Sequence, residues 1–184
     1  QGTKAYFENS LLYLENDYIS AFSLSTLLPL ACMIKAAKTA VFSESEVYFI
    51  FTVQEQLGAR GALSALFKIQ PDEVYNICAA NLSKSSKPGK AGLSSGVCFN
   101  VMGKDFNSSQ RLVEKACSAC KDNAIDFALF SDSSAFTDAS LASKAADGCE
   151  ILEVCIPVGN FGSAVELATL SDADYVTKLI MCLV

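Results

Sequence analysis

The chain has 184 residues and 19.6 kDa, of which 51% are hydrophobic, enough apolar material for one well-buried domain and too much for a disordered chain. Fourteen basic against 20 acidic residues give a net charge of -6 and a pI near 4.6, which leaves no electrostatic footprint for nucleic acid or an anionic membrane. There is no histidine, so Ser-His-Asp and Cys-His catalysis are excluded within the chain, and any site must run on carboxylates, amides, hydroxyls, thiols or lysine.

In chain order, Gln1-Gly-Thr-Lys4 lacks the basic and small-residue pattern of a signal peptide. Residues 18–38 have helical apolar spacing. Ser20, Ser23, Ser25, Thr26, Pro29 and Lys35 interrupt the stretch and make it a poor bilayer span. Residues 46–53, Glu-Val-Tyr-Phe-Ile-Phe-Thr-Val, are apolar almost without alternation, the pattern of an interior strand covered on both faces. A short helix over 62–68 and a strand over 73–80 follow, then a Ser, Lys, Gly and Pro loop over 81–96. The pattern resumes with a strand at 97–102, a helix at 108–121, a strand at 125–130, a helix at 134–146, a strand at 150–156 and a closing helix at 172–183. Strands alternating with helices predict one domain over 1–184, a three-layer α/β/α sandwich with a mostly parallel central sheet.

The eight cysteines read as reduced, cytoplasmic and mostly buried rather than as a disulfide framework. Cys117 and Cys120 sit in a helical pattern with no second pair for a four-thiolate zinc site, so they read as small helix-packing residues. In a parallel sheet, functional groups gather on loops leaving the carboxyl ends of strands. That rule points to residues 54–61, where Glu55 at a buried strand tip has the desolvation that suits a general base. The competing reading of Glu55 is a glutamate that meets solvent where the strand ends, with Gly58 and Gly61 supplying a turn.

Phe51-Thr-Val-Gln-Glu-Gln-Leu-Gly-Ala-Arg-Gly-Ala62 resembles FTVQEEVGLRGA, the strand and active-site loop of the dinuclear-metal aminopeptidases that include the tetrahedral and glutamyl aminopeptidases. Ile156-Pro-Val-Gly-Asn-Phe-Gly-Ser-Ala-Val-Glu166 is similar to the family's IPTRYIHSPVE, and Phe130-Ser-Asp-Ser133 more weakly to its GTDA. The resemblance spans residues 13–180. It implies a zinc-peptidase-like fold without the family's N-terminal segment and inserted β-barrel domain.

The family site holds two divalent metals, usually zinc or cobalt, and carrying it over residue by residue implies its loss. Glu55 takes the general-base position, but Gln56 stands where a carboxylate binds metal, and Gly162 where a histidine does. Asn81 stands at the aspartate of a DVT-like segment. Asn16, beside Glu15 and Asp17, falls at the bridging aspartate of an alDDR-like segment, and the arginine of the RYIHS segment is Gly159. Neutral amides and a glycine are poor ligands for a dication, so no cofactor is expected.

The resemblance therefore implies a degenerate, inactive aminopeptidase-like domain that binds a peptide or small molecule in the vestigial cleft. The alternatives are an active aminopeptidase completed by ligands outside this chain, or using a set such as Glu55, Asp17 and Asp132, and a structural subunit that self-associates as a homo-oligomer. Some members of the family are labelled glucanases, but no spaced acidic pair here supports that chemistry.

Overall fold

The computed structural model describes residues 2, 10–41, 46–82, 90–134, 136–142, 144 and 148–184. Its centre is β7 (Glu150–Val158), whose residues from 151 onward are all buried. On one side β7 pairs in parallel with β3 (Glu73–Asn81), and on the other it runs antiparallel to β4 (Val97–Gly103). β4 in turn carries the parallel β6 (Phe127–Asp132) and the two-residue β5 (Phe106–Asn107). Two of the three pairings between long strands are thus parallel, as the alternating sequence pattern predicts.

Side-chain alternation along β7 divides the helices between the two faces. Leu152, Val154 and Ile156 face a core filled by three helices: α1 (Leu24–Thr39), α3 (Gln110–Asp122) and α5 (Leu170–Leu183). Cys120 is fully buried in this core and Cys117 packs against it, which agrees with a packing role for the pair. The other face meets α2 (Arg60–Ile69) and α4 (Ala139–Ala142), where Leu66, Ala139, Ala142 and Ile151 cluster. The result is the expected three-layer sandwich. A second, antiparallel sheet joins β1 (Leu12–Tyr13), β2 (Tyr18–Ala21) and β8 (Glu166–Thr169), and packs on the end of β7 through Ile19, Leu24, Val158 and Ala168. None of the described helices is long and apolar enough to cross a membrane.

The structure departs from the sequence pattern in three places. Residues 46–53 form no regular strand, and Tyr48, Phe51 and Val53 are 54%, 49% and 70% exposed. An apolar run becomes an interior strand only between two neighbours, and β3, the edge on this side, pairs with β7 alone. Phe49 still packs against the main core. The helix expected from residue 18 begins only at Leu24, because Tyr18–Ala21 pair with β8 and Ser23, at φ 59, breaks the chain direction. Of the helix expected over 134–146, only Ala139–Ala142 is described as helical, and residues 135, 143 and 145–147, like 83–89 of the loop, lie outside the described residues.

One buried carboxylate fixes α5 to the sheet. Asp172, 1% exposed in the first turn of α5, accepts hydrogen bonds from the Ser94 and Gly96 N–H groups at 2.8 and 2.7 Å. Gly96 has φ +80, and a Cβ there would lie 1.9 Å from the Asp126 carbonyl oxygen. Gly96→Ala combines a left-handed backbone with a clash against main chain, so it should destabilise the fold by roughly 2–4 kcal/mol, read as a lowered urea midpoint.

Candidate functional site

Two groups of polar residues lie on the sheet. The first is at the carboxyl end of β7. The chain leaves Val158, passes Gly159 and Gly162, and returns as β8, whose first residue, Glu166, is 1% exposed. Its carboxylate accepts hydrogen bonds from the Gly162 N–H (2.6 Å), the Ser25 N–H (2.7 Å) and the Ser25 hydroxyl (2.9 Å). A carboxylate at the start of a helix meets unpaired N–H groups and the positive end of the helix dipole. Glu166 thereby joins the Gly162 loop to the start of α1, where Ser23 sits with φ 59. Asn81 belongs to the same end, as the exposed last residue of β3 opposite Val158.

Gly162 itself has φ +77 and open space where a Cβ would project. Asn16 lies elsewhere. It occupies the β1–β2 turn with φ 57, beside the end of the β2–β8 ladder where Tyr18 pairs Thr169, whereas Gly162 adjoins the opposite end, where Ala21 pairs Glu166. The residue that Glu166 ties to the Gly162 loop at this end is Ser25, and Ser23, two positions earlier, opens the same helix. The sequence signal for Ser23 is the position: Ala21-Phe-Ser23 directly precedes the helix, as the alDDR-like segment would.

The second group lies on the sheet face toward α2 and α4. Register places Asn76, Glu153 and Asn100 in one row across β3, β7 and β4, and Cys78, Cys155 and Cys98 in the next. Glu153 is 2% exposed, accepts from the Thr137 hydroxyl at 2.7 Å and more loosely from Asn100 Nδ2 at 3.5 Å. Glu55 approaches the same region from a single 3-10 turn, Glu55–Leu57, flanked by left-handed Gln54, Gly58 and Ala59. Burial, then the charge of Asp138, raise its pKa; the Asp138 N–H opposes them, and Glu153 adds a smaller upward push. Asp138 also accepts a 2.6 Å bond from the Thr52 hydroxyl, which ties the 46–53 segment to the start of α4. Glu55 therefore has the desolvated environment that its place in the sequence suggests.

Gln56 is exposed beside it. No hydrogen bond or ion pair among the described residues links Glu55 or Gln56 to Asn81 or Gly162. Asp17 caps α5 through the Ser171 N–H at 2.7 Å, and Asp132 accepts from Ser134 at the end of β6. Glu55, Asp17 and Asp132 do not form a close cluster of donor atoms among the described residues. Sequence reasoning missed Glu153, although an acidic residue inside Glu150-Ile-Leu-Glu-Val-Cys-Ile156 was a legible sign of a buried polar group.

The sequence profile of the M42 glutamyl aminopeptidases matches residues 1–179. An aminopeptidase homologue of Acetivibrio thermocellus is 27% identical over 170 residues, 91% of this chain and 52% of that protein. The lysyl aminopeptidase of Pyrococcus furiosus is 28% identical, over 97% of this chain and 51% of its own length. Among solved structures, the aminopeptidase APDkam598 of Desulfurococcus kamchatkensis superposes with a TM-score of 0.87 at 22% identity, covering 96% of this chain and 51% of that one. The TET1 peptidase of Pyrococcus horikoshii, described as assembling into a tetrahedron or a large octahedral shell, gives 0.83 at 27% identity, covering 96% and 53%. The chain thus spans about half the length of the relatives it matches.

The raised pKa of Glu55 has a defined consequence for stability. The folded state holds this proton more tightly than the unfolded chain, so the group's contribution to stability falls as pH rises from the ordinary carboxylate range through the raised folded value. Glu55→Gln removes the charge and keeps an acceptor for the Asp138 N–H. The variant should therefore be more stable than the parent at pH 7, and the gain should vanish near pH 4, as urea unfolding at the two pH values would read.

Proposed function

The chain belongs to the M42 glutamyl aminopeptidase family, and from that premise we propose that it is an aminopeptidase-type domain whose dinuclear metal site has been dismantled, leaving a cleft that binds without hydrolysing. The observation that carries this reading is the donor set. Gln56 and Asn81 offer neutral amides, Gly162 offers no side chain, and Ser23, at the start of the helix that Glu166 ties to the Gly162 loop, offers a neutral hydroxyl. Two dications need anionic ligands of defined number, and these four positions supply no charge. The family's metals do not fit these residues, and Glu55 without a metal-bound water has no activated nucleophile to serve.

The local backbone is kept while the charge is gone. Glu166 still gathers the Gly162 loop and the start of α1 with three hydrogen bonds. Such a scaffold suits a peptide or small-molecule ligand held by hydrogen bonds. Eight free cysteines support a reducing, cytoplasmic setting. Self-association is supported by apolar side chains left in solvent at Leu11, Leu12, Tyr13 and Leu14, and by the assembly of the Pyrococcus horikoshii relative. The competing reading, an active aminopeptidase completed from outside these residues, is supported by the chain's covering about half its relatives' length. It still has to overcome Gln56, Asn81 and Gly162.

The test is a repair. The parent protein should show no turnover of aminoacyl-anilide substrates with added zinc or cobalt. Ser23→Asp, Gln56→Glu, Asn81→Asp and Gly162→His combined should create oxygen- and nitrogen-coordinated metal binding absent from the parent. Metal-dependent turnover by the parent, or no gain of binding in the folded repaired protein, would overturn the assignment.

A further inference from the structure

The second polar group contains a constellation that the family positions do not account for. Cys78 and Cys155 are register partners on adjacent parallel strands, with Sγ atoms 3.5 Å apart, and Cys155 Sγ lies 3.7 Å from Glu153 Oε1. One donor atom from each of Cys78, Cys155 and Glu153 falls within 4.8 Å of the others, the one such trio among the described residues. We propose that Cys78, Cys155 and Glu153 form a binding site for a single zinc-class divalent ion, built from none of the residues that stand at the family's metal-ligand positions.

The spacing fits. Zinc bonds of about 2.3 Å to sulfur and about 2.0 Å to oxygen in a tetrahedron put two sulfurs about 3.8 Å apart and sulfur and oxygen about 3.5 Å apart. The donor atoms already stand close to that arrangement, so metal entry needs side-chain adjustment and no change of register. Two thiolates with one carboxylate select a borderline-soft ion such as zinc over magnesium or calcium.

Electrostatics points the same way. Glu55, Asp138 and Glu153 gather here, and none of the ion pairs formed by described residues neutralises them. Among the described residues, the donors to Glu153 Oε1 are Asn100, through a long contact, and the Cys155 thiol. Asp138 Oδ1 is buried without a hydrogen-bond partner among the described residues. Buried acceptors without a compensating cation are costly, and a dication is the economical remedy. Metal-free, the thiols remain protonated. Its hydrogen bond with Cys155, then burial, pushes Cys78 well above the ordinary thiol range, and burial raises Cys155.

Zinc entry therefore replaces two S–H protons, which leave to solvent as two Zn–S bonds form. Three protein ligands leave a fourth position for water or Glu55.

The test uses the reduced, metal-free 184-residue protein titrated with Co2+ and then Zn2+. The expected result is a thiolate-to-cobalt charge-transfer band with tetrahedral d–d absorption, saturating at one ion per chain. Zinc should displace the cobalt and release two protons per ion bound. Cys78→Ser and Cys155→Ser should each weaken binding by at least roughly 100-fold, and Cys182→Ser, at an exposed position on α5, should not. Alkylation mapped on the unmutated protein guards against variants that misfold: zinc should protect Cys78 and Cys155 together. Absence of the charge-transfer band, binding that survives both serine variants, or no protection on the parent overturns the proposal. The signature is distinct from that of a family dimetal site, which would bind two ions without thiolate character.

Discussion

The carboxylate of Glu166 is the junction on which the carboxyl end of this sheet depends. It is almost completely buried, and the Gly162 N–H, the Ser25 N–H and the Ser25 hydroxyl satisfy it. Removing one member of such a set leaves the others buried and unpaired, at a cost of about 1–3 kcal/mol for each unsatisfied group. The loop from Gly159 to Ser163, the start of α1 and the register of β2 against β8 are therefore held together, whatever the loop is used for. This explains how a loop without a metal-ligating side chain can keep its shape: the backbone N–H of Gly162, not its side chain, is the structural contact.

The second constraint is the burial of β7. A strand buried along nearly its whole length admits polar groups only with partners, and Glu153 meets that demand through Thr137 and Asn100. Because register puts Asn76, Glu153 and Asn100 in one row and three cysteines in the next, the polar requirement of one residue organises a whole patch of sheet face. The opposite face of β7 is apolar and holds α1, α3 and α5. Structural stability and chemical potential are thus separated onto the two faces of the same strands.

Much of the fold was legible because periodicity is a local signal. The strands at β3, β4, β6 and β7 and the helices α2, α3 and α5 follow from apolar spacing and turn residues. The failure at residues 46–53 is instructive: the run carries the composition of an interior strand, but a strand is a relation between segments, and no neighbour among the described residues completes it. Tyr18–Ala21 fail for the converse reason. Their pairing with β8 overrides a helical pattern that begins in earnest only after Ser23. At the site, Glu55 was readable from its place after an apolar run, whereas Ser23 required knowing where α1 begins, and the Cys78–Cys155 juxtaposition required the β3–β7 register, which no local pattern contains.

The central claim is that the family's metal positions have lost their chemistry while the fold persists. Anomalous diffraction from crystals of the protein grown with zinc tests it most directly, because it locates every ordered ion without reference to activity. The account predicts no anomalous peak among Ser23, Gln56, Asn81 and Gly162. A pair of peaks bridging those residues would contradict it.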